Sequence, residues 1–345
     1  MKTNYEPKPL FIERMKLLLG NDFENYLKKI QEQPLKSIRV NTLKISPQEL
    51  KKKLEDKGWK IKQPFKENPE IMIIEGKKDH AISSEAIGNR HSEIRGSSKE
   101  TSGFLLPGEL GRSLEHLLGY YYVQEISSMM PVLVLNPKPN ETILDLCASP
   151  GSKTTQIATK MKNTGTLIAN DFKLGRIKIL SSNLERCGVM NTMITKSLGE
   201  SLCKKMKNEN FQIDKILVDT SCSGEGTIKS TPKTLQMWNI KGIFSFSKIQ
   251  KNLLEKAVEL LKPNGEIVYS TCTHAPEENE EVIDFILKKF DNIKIEKIFL
   301  PLKTREGVTK WQEKEYLKDV ENSLRIYPQD NNTEGFFIAK LRKVK

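Results

Sequence analysis

The chain of 345 residues contains no apolar run approaching the roughly 18–20 residues that span a bilayer. Its opening, MKTNYEPKPL, lacks the apolar stretch of a secretion signal. A cytoplasmic protein with no membrane partner is therefore expected. Cysteine is scarce, with five residues at positions 147, 187, 203, 222 and 272. So few exclude a disulfide-held scaffold, and no two share C-x-x-C spacing, so no zinc or other metal site is expected. The four histidines, at 80, 91, 116 and 274, show no ligand spacing either. No internal repeat is found. Acidic residues are the minority charge: 44 Asp+Glu against 56 Lys+Arg give a formal +12. That excess suits a polyanion partner, whose phosphates release counterions on binding, but a lysine-rich surface gives the same total. What is present in quantity is apolar residues (37%) alongside charged ones (29%), enough to bury a core and too much for a disordered chain.

At roughly 100–200 residues per domain, the length predicts two domains. The texture changes near residue 140. Beyond it, short apolar runs at 142–146, 166–170, 191–195, 213–219 and 266–271 alternate with helical patterns near 153–163, 173–187, 199–208 and 247–262. Continuous apolar strands separated by helix-length segments predict an α/β fold with a doubly wound parallel sheet covered on both faces. A helix at about 278–290 and a late strand, GFFIAKL (335–341), complete it, and Pro263-Asn264-Gly265 is read as the turn that launches the 266–271 strand. The earlier part predicts a helical pair within 9–32, strands at 37–41, 59–65 and 71–75, and a helix from Pro47 to about Lys57. We expect a small N-terminal α/β domain over 1–112, ending in a flexible polar segment at 77–112, and a catalytic domain over 113–345.

Three motifs carry chemistry. The first is LDLCASPGSKTTQ, residues 144–156, a strand followed by a tight turn and a helix start. In such sheets ligands bind beyond the carboxyl ends of the strands, against helix N-termini, and Gly151 lets the backbone approach them closely. The glycine spacing of a phosphate-binding P-loop is absent, and so is G-x-G-x-x-G. A nucleoside without a pyrophosphate fits better, and S-adenosylmethionine is the obvious one. Asp171, just past the second strand, stands where an acidic side chain accepts hydrogen bonds from ribose hydroxyls.

The other two motifs are ILVDTSCSGEGTIKS (216–230) and IVYSTCTHAPEENEEV (267–282). Each puts a cysteine, Cys222 or Cys272, just beyond a strand, at the sheet edge where the nucleoside would lie. A lone cysteine is most often a small buried hydrophobe; that reading is given to Cys187, Cys203 and largely Cys147. For Cys222 and Cys272 a thiol beside a methyl donor points to methylation of cytosine carbon 5. That carbon is too weak a nucleophile until a thiolate adds to carbon 6. Asp219 is placed to hydrogen-bond the ring as charge develops, and the base must leave its stack to reach the site.

CASPGSKTTQ, DTSCSGEGTI and YSTCT..PEENE, in that order, resemble the motifs of the Nop/Sun-type RNA (cytosine-5) methyltransferases. The likeness extends to RVNTLK (39–44), to SLEHLLGYYYVQEISSMMP (113–131) as a pre-catalytic helix, and to RIYPQDNNTEGFFIAKLRK (325–343). The resemblance implies a Rossmann-like class I S-adenosylmethionine-dependent methyltransferase domain with a small RNA-contacting N-terminal domain. It implies Cys272 as nucleophile, Cys222 as an aid to product release, and Asp219 against the target cytosine, with Lys153 in support. Cys147, Ala148, Ser149, Pro150, Gly151, Ser152 and Lys153 would wrap the methionine part of the cofactor. Asp171 would hold its ribose, with Arg176 nearby and Asp219 close to the donor. Transfer RNA is the expected substrate because the chain resembles the compact members. Ribosomal RNA is the alternative, followed by a DNA cytosine methyltransferase with its nucleophile in the 219–226 loop, or an idle RNA-binding factor.

Two departures from the family pattern stand out. Ser221 replaces the usual proline before Cys222, so a looser loop and slower release are expected. The position of an adenine-reading aspartate is taken by Leu198, with Ser197 and Glu200 as substitutes. His274 is read as a solvated loop residue near the active strand. Tyr120, Tyr121 and Tyr122 are read as packing, and the 51–60 lysines equally as a phosphate contact or a solvated helix face. Glu277, Glu278, Glu280 and Glu281 are read as first-turn residues favoured by the helix dipole.

Overall fold

The computed structural model describes residues 6–77 and 109–345; the polar segment expected at 77–112 lies largely outside the described residues. The chain divides into two compact units, residues 36–123 and residues 1–35 with 124–345. This is not the expected division at 112/113, and local packing explains both differences. Helices α1 (Pro9–Leu19) and α2 (Phe23–Gln31) bury Phe11, Met15, Phe23, Tyr26 and Ile30 among Ile228, Leu235, Trp238, Ala275 and Tyr327 of the larger unit. Strand β4 (Tyr121–Val123) of the smaller unit, built from the tyrosine run, pairs with β1 (Lys36–Val40) instead of leading into the catalytic sheet.

The smaller unit holds β1 (Lys36–Val40), α3 (Pro47–Asp56), β2 (Trp59–Lys62), β3 (Ile71–Lys77) and β4 (Tyr121–Val123). They form an antiparallel sheet in the order β2-β3-β1-β4. Helix α3 begins with a reciprocal capping box, Ser46 with Glu49, and Pro47 in its first turn. Its Leu50 and Leu54, four apart on one face, pack on Ile38, Val40 and Met72. Tyr121 and Tyr122 are buried, in keeping with a packing role.

The larger unit continues with α4 (Ile126–Leu135), β5 (Thr142–Asp145), α5 (Ser152–Lys160), β6 (Thr166–Asp171), α6 (Leu174–Cys187), β7 (Thr192–Lys196) and α7 (Gly199–Asn208). Then come β8 (Ile213–Asp219), α8 (Ile240–Leu260), β9 (Leu261–Thr271), α9 (Glu280–Lys289), β10 (Ile293–Glu296), β11 (Leu324–Ile326) and β12 (Phe336–Lys343). Across the sheet the order is β11-β12-β9-β8-β5-β6-β7, with β10 also pairing β12. Strands β5 to β9 are parallel and β12 is antiparallel. The order of winding reverses between β5 and β8. At that switch point the carboxyl ends of two strands open a crevice, where ligands bind in such sheets.

The central strands are apolar throughout because helices cover both faces: Ile143, Leu144, Ile216, Leu217, Val218, Ile267 and Val268 are all buried. Four details depart from expectation. Strand β9 starts at Leu261 and absorbs Pro263-Asn264-Gly265 as a register shift against β8, with Asn264 at φ +63°, so the turn persists inside a strand. Helix α8 begins at Ile240 because Asn239 accepts the Gly242 N–H. The helix expected over 113–131 is a single turn at Leu114–Leu117, then β4, then α4, which Glu125 caps at Ser127 and Ser128. Strands β10 and β11 are too short to show in the apolar pattern.

Candidate active site

The first motif forms one wall of the crevice. Asp145, at the end of β5, is 1% exposed; Thr154 Oγ1 donates to its Oδ2 at 2.7 Å. Its Oδ1 has no hydrogen-bond partner among the described residues, and burial pushes the carboxyl up to about 7. The turn that follows is tied at both ends. The Ala148 N–H donates to Asn170 O and the Gly151 N–H to Ala148 O, each at 2.8 Å, and the Ser149–Pro150 peptide is cis. Gly151 sits at φ +103°, a backbone conformation that favours glycine, and a Cβ there would press on Leu180 Cδ1 at 3.0 Å. No side chain caps the start of α5, so its first N–H groups keep hydrogen-bonding capacity. Asp171 closes β6. It accepts the Lys173 N–H at 3.1 Å and pairs with Arg176 Nε at 3.2 Å, while Arg176 Nη2 donates to Ser149 O at 2.6 Å. Ser149 Oγ is buried without a partner among the described residues. Burial, with Asp145 beside it, raises the Cys147 thiol far above the ordinary range, which makes it inert.

The opposite wall is made by the ends of β8 and β9, where Asp219 lies in register with Ser270. Ser270 Oγ donates to Asp219 Oδ1 at 2.7 Å, and Lys153 Nζ lies 2.8 Å from Oδ2. Lys153 reaches across from α5; its Nζ also donates to Ser128 Oγ at 2.9 Å and sits 5.2 Å above the Phe336 ring. Just beyond β9, Cys272 Sγ comes within 3.2 Å of Cys222 Sγ, and both cysteines are free and half-buried. The hydrogen bond to Cys272, together with burial, holds the Cys222 thiol well above its ordinary pKa. The two cysteine loops are stitched together. The Gly226 N–H donates to Cys272 O at 2.9 Å, and the Gly335 N–H donates to Gly226 O at 2.9 Å. A Cβ on Gly226 would collide with the Gly335 carbonyl. Ser223 Oγ and Thr273 Oγ1 are 2.7 Å apart.

The residues expected to act together are thus brought to one crevice: Lys153, Asp219, Cys222 and Cys272 on one side, Cys147 to Ser152 with Asp171 and Arg176 on the other. Cys187 and Cys203 are buried, as read. Several readings need correction. His274 is not solvated: it is 1% exposed and stacked on Tyr327 at 4.9 Å, and burial, with Arg325 beside it, lowers its pKa to about 3. The glutamates divide: Glu280 and Glu281 stand in the first turn of α9, as read, whereas Glu277 and Glu278 precede it, and Glu277, Glu278 and Glu280 are buried. Arg14 Nη2 and Trp311 Nε1 donate to Glu277 at 2.7 and 2.9 Å, and Arg325 Nε donates to Glu280 at 2.6 Å. The Ser221 loop is not loose, because Gln250 Nε2 donates to Ser221 O at 3.0 Å. Leu198 is 54% exposed at the start of α7. Sequence reasoning missed the roles of Ser128, Phe336 and Gln250, which lie outside the three motifs, and of Ser270, which lies inside the third; only the fold shows what each meets.

A doubly wound sheet with an antiparallel strand beside β9, an uncapped helix start at its switch point and an acidic side chain ending the neighbouring strand define a Rossmann-like, class I S-adenosylmethionine-dependent methyltransferase. Similarity narrows this further. A family model described as 16S rRNA methyltransferase RsmB/F matches residues 132–342, and one for the N-terminal domain of 16S rRNA methyltransferase RsmF matches 8–68. The chain is 41% identical to the tRNA (cytosine(49)-C(5))-methyltransferase of Pyrococcus abyssi, covering 97% of its own length and 96% of that protein. It is 35% identical to ribosomal RNA small subunit methyltransferase F of Vibrio parahaemolyticus over 99% of its own length, but spans only 64% of that relative. The crystal structure of NSun6 from Pyrococcus horikoshii, solved with the S-adenosylmethionine analogue SFG, superposes with a TM-score of 0.77 at 27% identity, covering 98% of each chain. The chain belongs to the RsmB/F family, the Sun/Fmu group whose motifs it carries, and is an S-adenosylmethionine-dependent RNA cytosine-5 methyltransferase.

Proposed function

We propose that this enzyme methylates carbon 5 of a cytosine in transfer RNA through a covalent bond between Cys272 and carbon 6. The observation that carries this reading is the pair of sulfurs 3.2 Å apart beside an Asp219–Lys153 ion pair. The attacking form of a cysteine is the thiolate, and the Cys222 sulfur stands within hydrogen-bonding distance of the Cys272 sulfur. Cys272 adds to carbon 6. Asp219, fixed by Ser270 and Lys153, orients the ring by its polar edge, and the Lys153 charge sits where the ring gathers electron density. S-adenosylmethionine, when bound, supplies the methyl group that carbon 5 accepts.

Release requires removal of the proton from carbon 5, so that the carbon 5–carbon 6 double bond re-forms and the sulfur–carbon bond breaks. Cys222, whose sulfur lies 3.2 Å from that of Cys272, is the group held beside the adduct to assist this step. For the donor, Cys147 to Lys153 would enclose the methionine portion. Ser149 Oγ, buried and without a partner among the described residues, supports that fit. Asp171 retains lone pairs beyond those used by Lys173 and Arg176, enough to receive ribose hydroxyls.

The smaller unit is proposed to contact RNA; in residues 36–77 basic side chains outnumber acidic ones. Transfer RNA is favoured because the relative named for it is matched over nearly its whole length. Ribosomal RNA is the second reading, supported by the names of the family model and of the Vibrio relative. In both readings the enzyme works in the cytoplasm. Bisulfite sequencing of total RNA from cells with and without the gene tests the assignment. The expected result is one lost 5-methylcytosine in transfer RNA; a site lost only from ribosomal RNA would replace it with the second reading.

A further inference from the structure

Two adjacent buried residues that the reaction above does not use, Glu278 and Asn279, each hold one of the cysteine loops. Both have no measurable exposure. The Glu278 carboxyl accepts the Ser223 N–H, directly after Cys222, at 3.0 Å through Oε2 and 3.3 Å through Oε1. Gln250 Nε2 completes the clamp. It donates to Glu278 Oε2 at 2.9 Å and to Ser221 O, directly before Cys222, at 3.0 Å. Asn279 does the same for Cys272. Its Oδ1 accepts the Thr271 hydroxyl at 2.6 Å and its Nδ2 donates to Thr273 O at 3.0 Å. Each cysteine is therefore bracketed by hydrogen bonds on the residues either side of it, and the two brackets originate one residue apart in the chain. The segment is itself anchored, by the Tyr269 hydroxyl donating to Glu278 O at 2.6 Å and by the buried Arg325–Glu280 pair.

Buried brackets of this kind fix a side chain's position because breaking them leaves polar groups without water. We propose that Glu278 and Asn279 are paired positioning residues, Asn279 aligning Cys272 for attack and Glu278 aligning Cys222 for release of the methylated RNA. The proposal rests on the roles given above to the two cysteines. It predicts that two neighbouring residues, equally buried, fail at opposite ends of the reaction.

The test uses the full chain, labelled S-adenosylmethionine and bulk RNA from a strain lacking the gene. First-turnover methyl transfer, steady turnover and protein–RNA adduct on denaturing gels are read together. Cys222→Ser is the reference and is expected to accumulate adduct. Glu278→Ala should do likewise, slowing steady turnover about 10-fold while leaving the first turnover within about 2-fold. Glu278→Gln keeps an acceptor for the Ser223 N–H and should recover most of the turnover. Asn279→Ala should slow the first turnover about 10-fold and accumulate no adduct. If either alanine variant does not fold, Gln250→Leu and Thr271→Val remove one arm of each bracket and should show the same separation, more weakly. Adduct in Cys222→Ser with none in Glu278→Ala or Gln250→Leu would overturn the proposal and leave the cysteine assignment standing. Equal loss of both steps in the Glu278 and Asn279 variants would overturn it as well. No adduct in Cys222→Ser would remove the cysteine roles themselves, and the proposal with them.

Discussion

The two walls of the crevice are built on opposite principles. On the donor wall, Ser149 Oγ and Asp145 Oδ1 are buried without partners among the described residues, and α5 starts with no capping side chain. On the cysteine wall, Asp219 has both oxygens engaged, each cysteine is bracketed, and buried carboxyls from Glu277, Glu278 and Glu280 meet Arg14, Gln250 and Arg325. A wall that receives a small, exchangeable ligand keeps hydrogen-bonding capacity in reserve. A wall that must hold a sulfur within bonding distance of a ring carbon commits its own groups in advance, because misplacement by an ångström is costly. Lys153 links the two, rising from the donor helix to pair with Asp219.

Five substitutions probe this contrast. The largest effect belongs to the cysteine wall's reacting atom: Cys272→Ala should lower methylation by on the order of 10³-fold or more, since the nucleophile has no substitute. Cys222→Ser, by contrast, should still transfer one methyl group per enzyme. Next comes the scaffold of the same wall. Arg325→Met strands the buried Glu280 carboxylate and should cost about 3–5 kcal/mol of stability, read by denaturant unfolding. An unchanged midpoint would show that the network is ornamental. On the donor wall, Asp171→Asn should weaken donor binding about 10-fold, seen as a raised KM for S-adenosylmethionine with kcat nearly kept. A fall in kcat alone would place Asp171 in the chemistry instead.

The smallest effect is in pH. His274 has its folded pKa lowered from 6.5 to about 3 by burial, then by Arg325. The unfolded chain therefore binds a proton that the folded one does not. His274's contribution is whole above about pH 6.5 and is lost as pH falls toward 3, by about 1.4 kcal/mol per unit. Asp145 and Glu278, raised mainly by burial to about 7 and about 8, act in the opposite sense: their folded forms hold the proton, so stability is lost as pH rises through those values. Comparing wild type with His274→Gln cancels the carboxyls. Between pH 6.5 and 5.5 the wild type should lose about 1 kcal/mol of stability relative to the variant, and a pH-independent difference would contradict a buried neutral histidine.

What could be read in advance follows the same divide. Strands β5 to β8, the turn around Gly151 and the cysteines at the ends of β8 and β9 were legible, because buried parallel strands are continuous apolar runs and turns are marked by glycine and proline. Tertiary partners were not. Glu278 and Asn279 sit in an acidic run that looks like a helix start, and nothing local reveals that Ser223 and Thr273 come to meet them. His274 looked solvated because its cover is supplied by Tyr26 and Tyr327, far away in sequence. Helices α1 and α2 were assigned to the wrong unit for the same reason: amphipathicity shows that a face is buried, not what buries it.

Trapping the adduct identifies the sulfur that bonds to the ring. In RNA carrying 5-fluorocytosine, fluorine replaces the proton whose removal frees the enzyme, so the sulfur–carbon bond survives digestion and mass spectrometry identifies the cysteine. The modified base is expected on Cys272, with Cys222 unlabelled. The base on Cys222 with Cys272 free would overturn the assignment of the nucleophile.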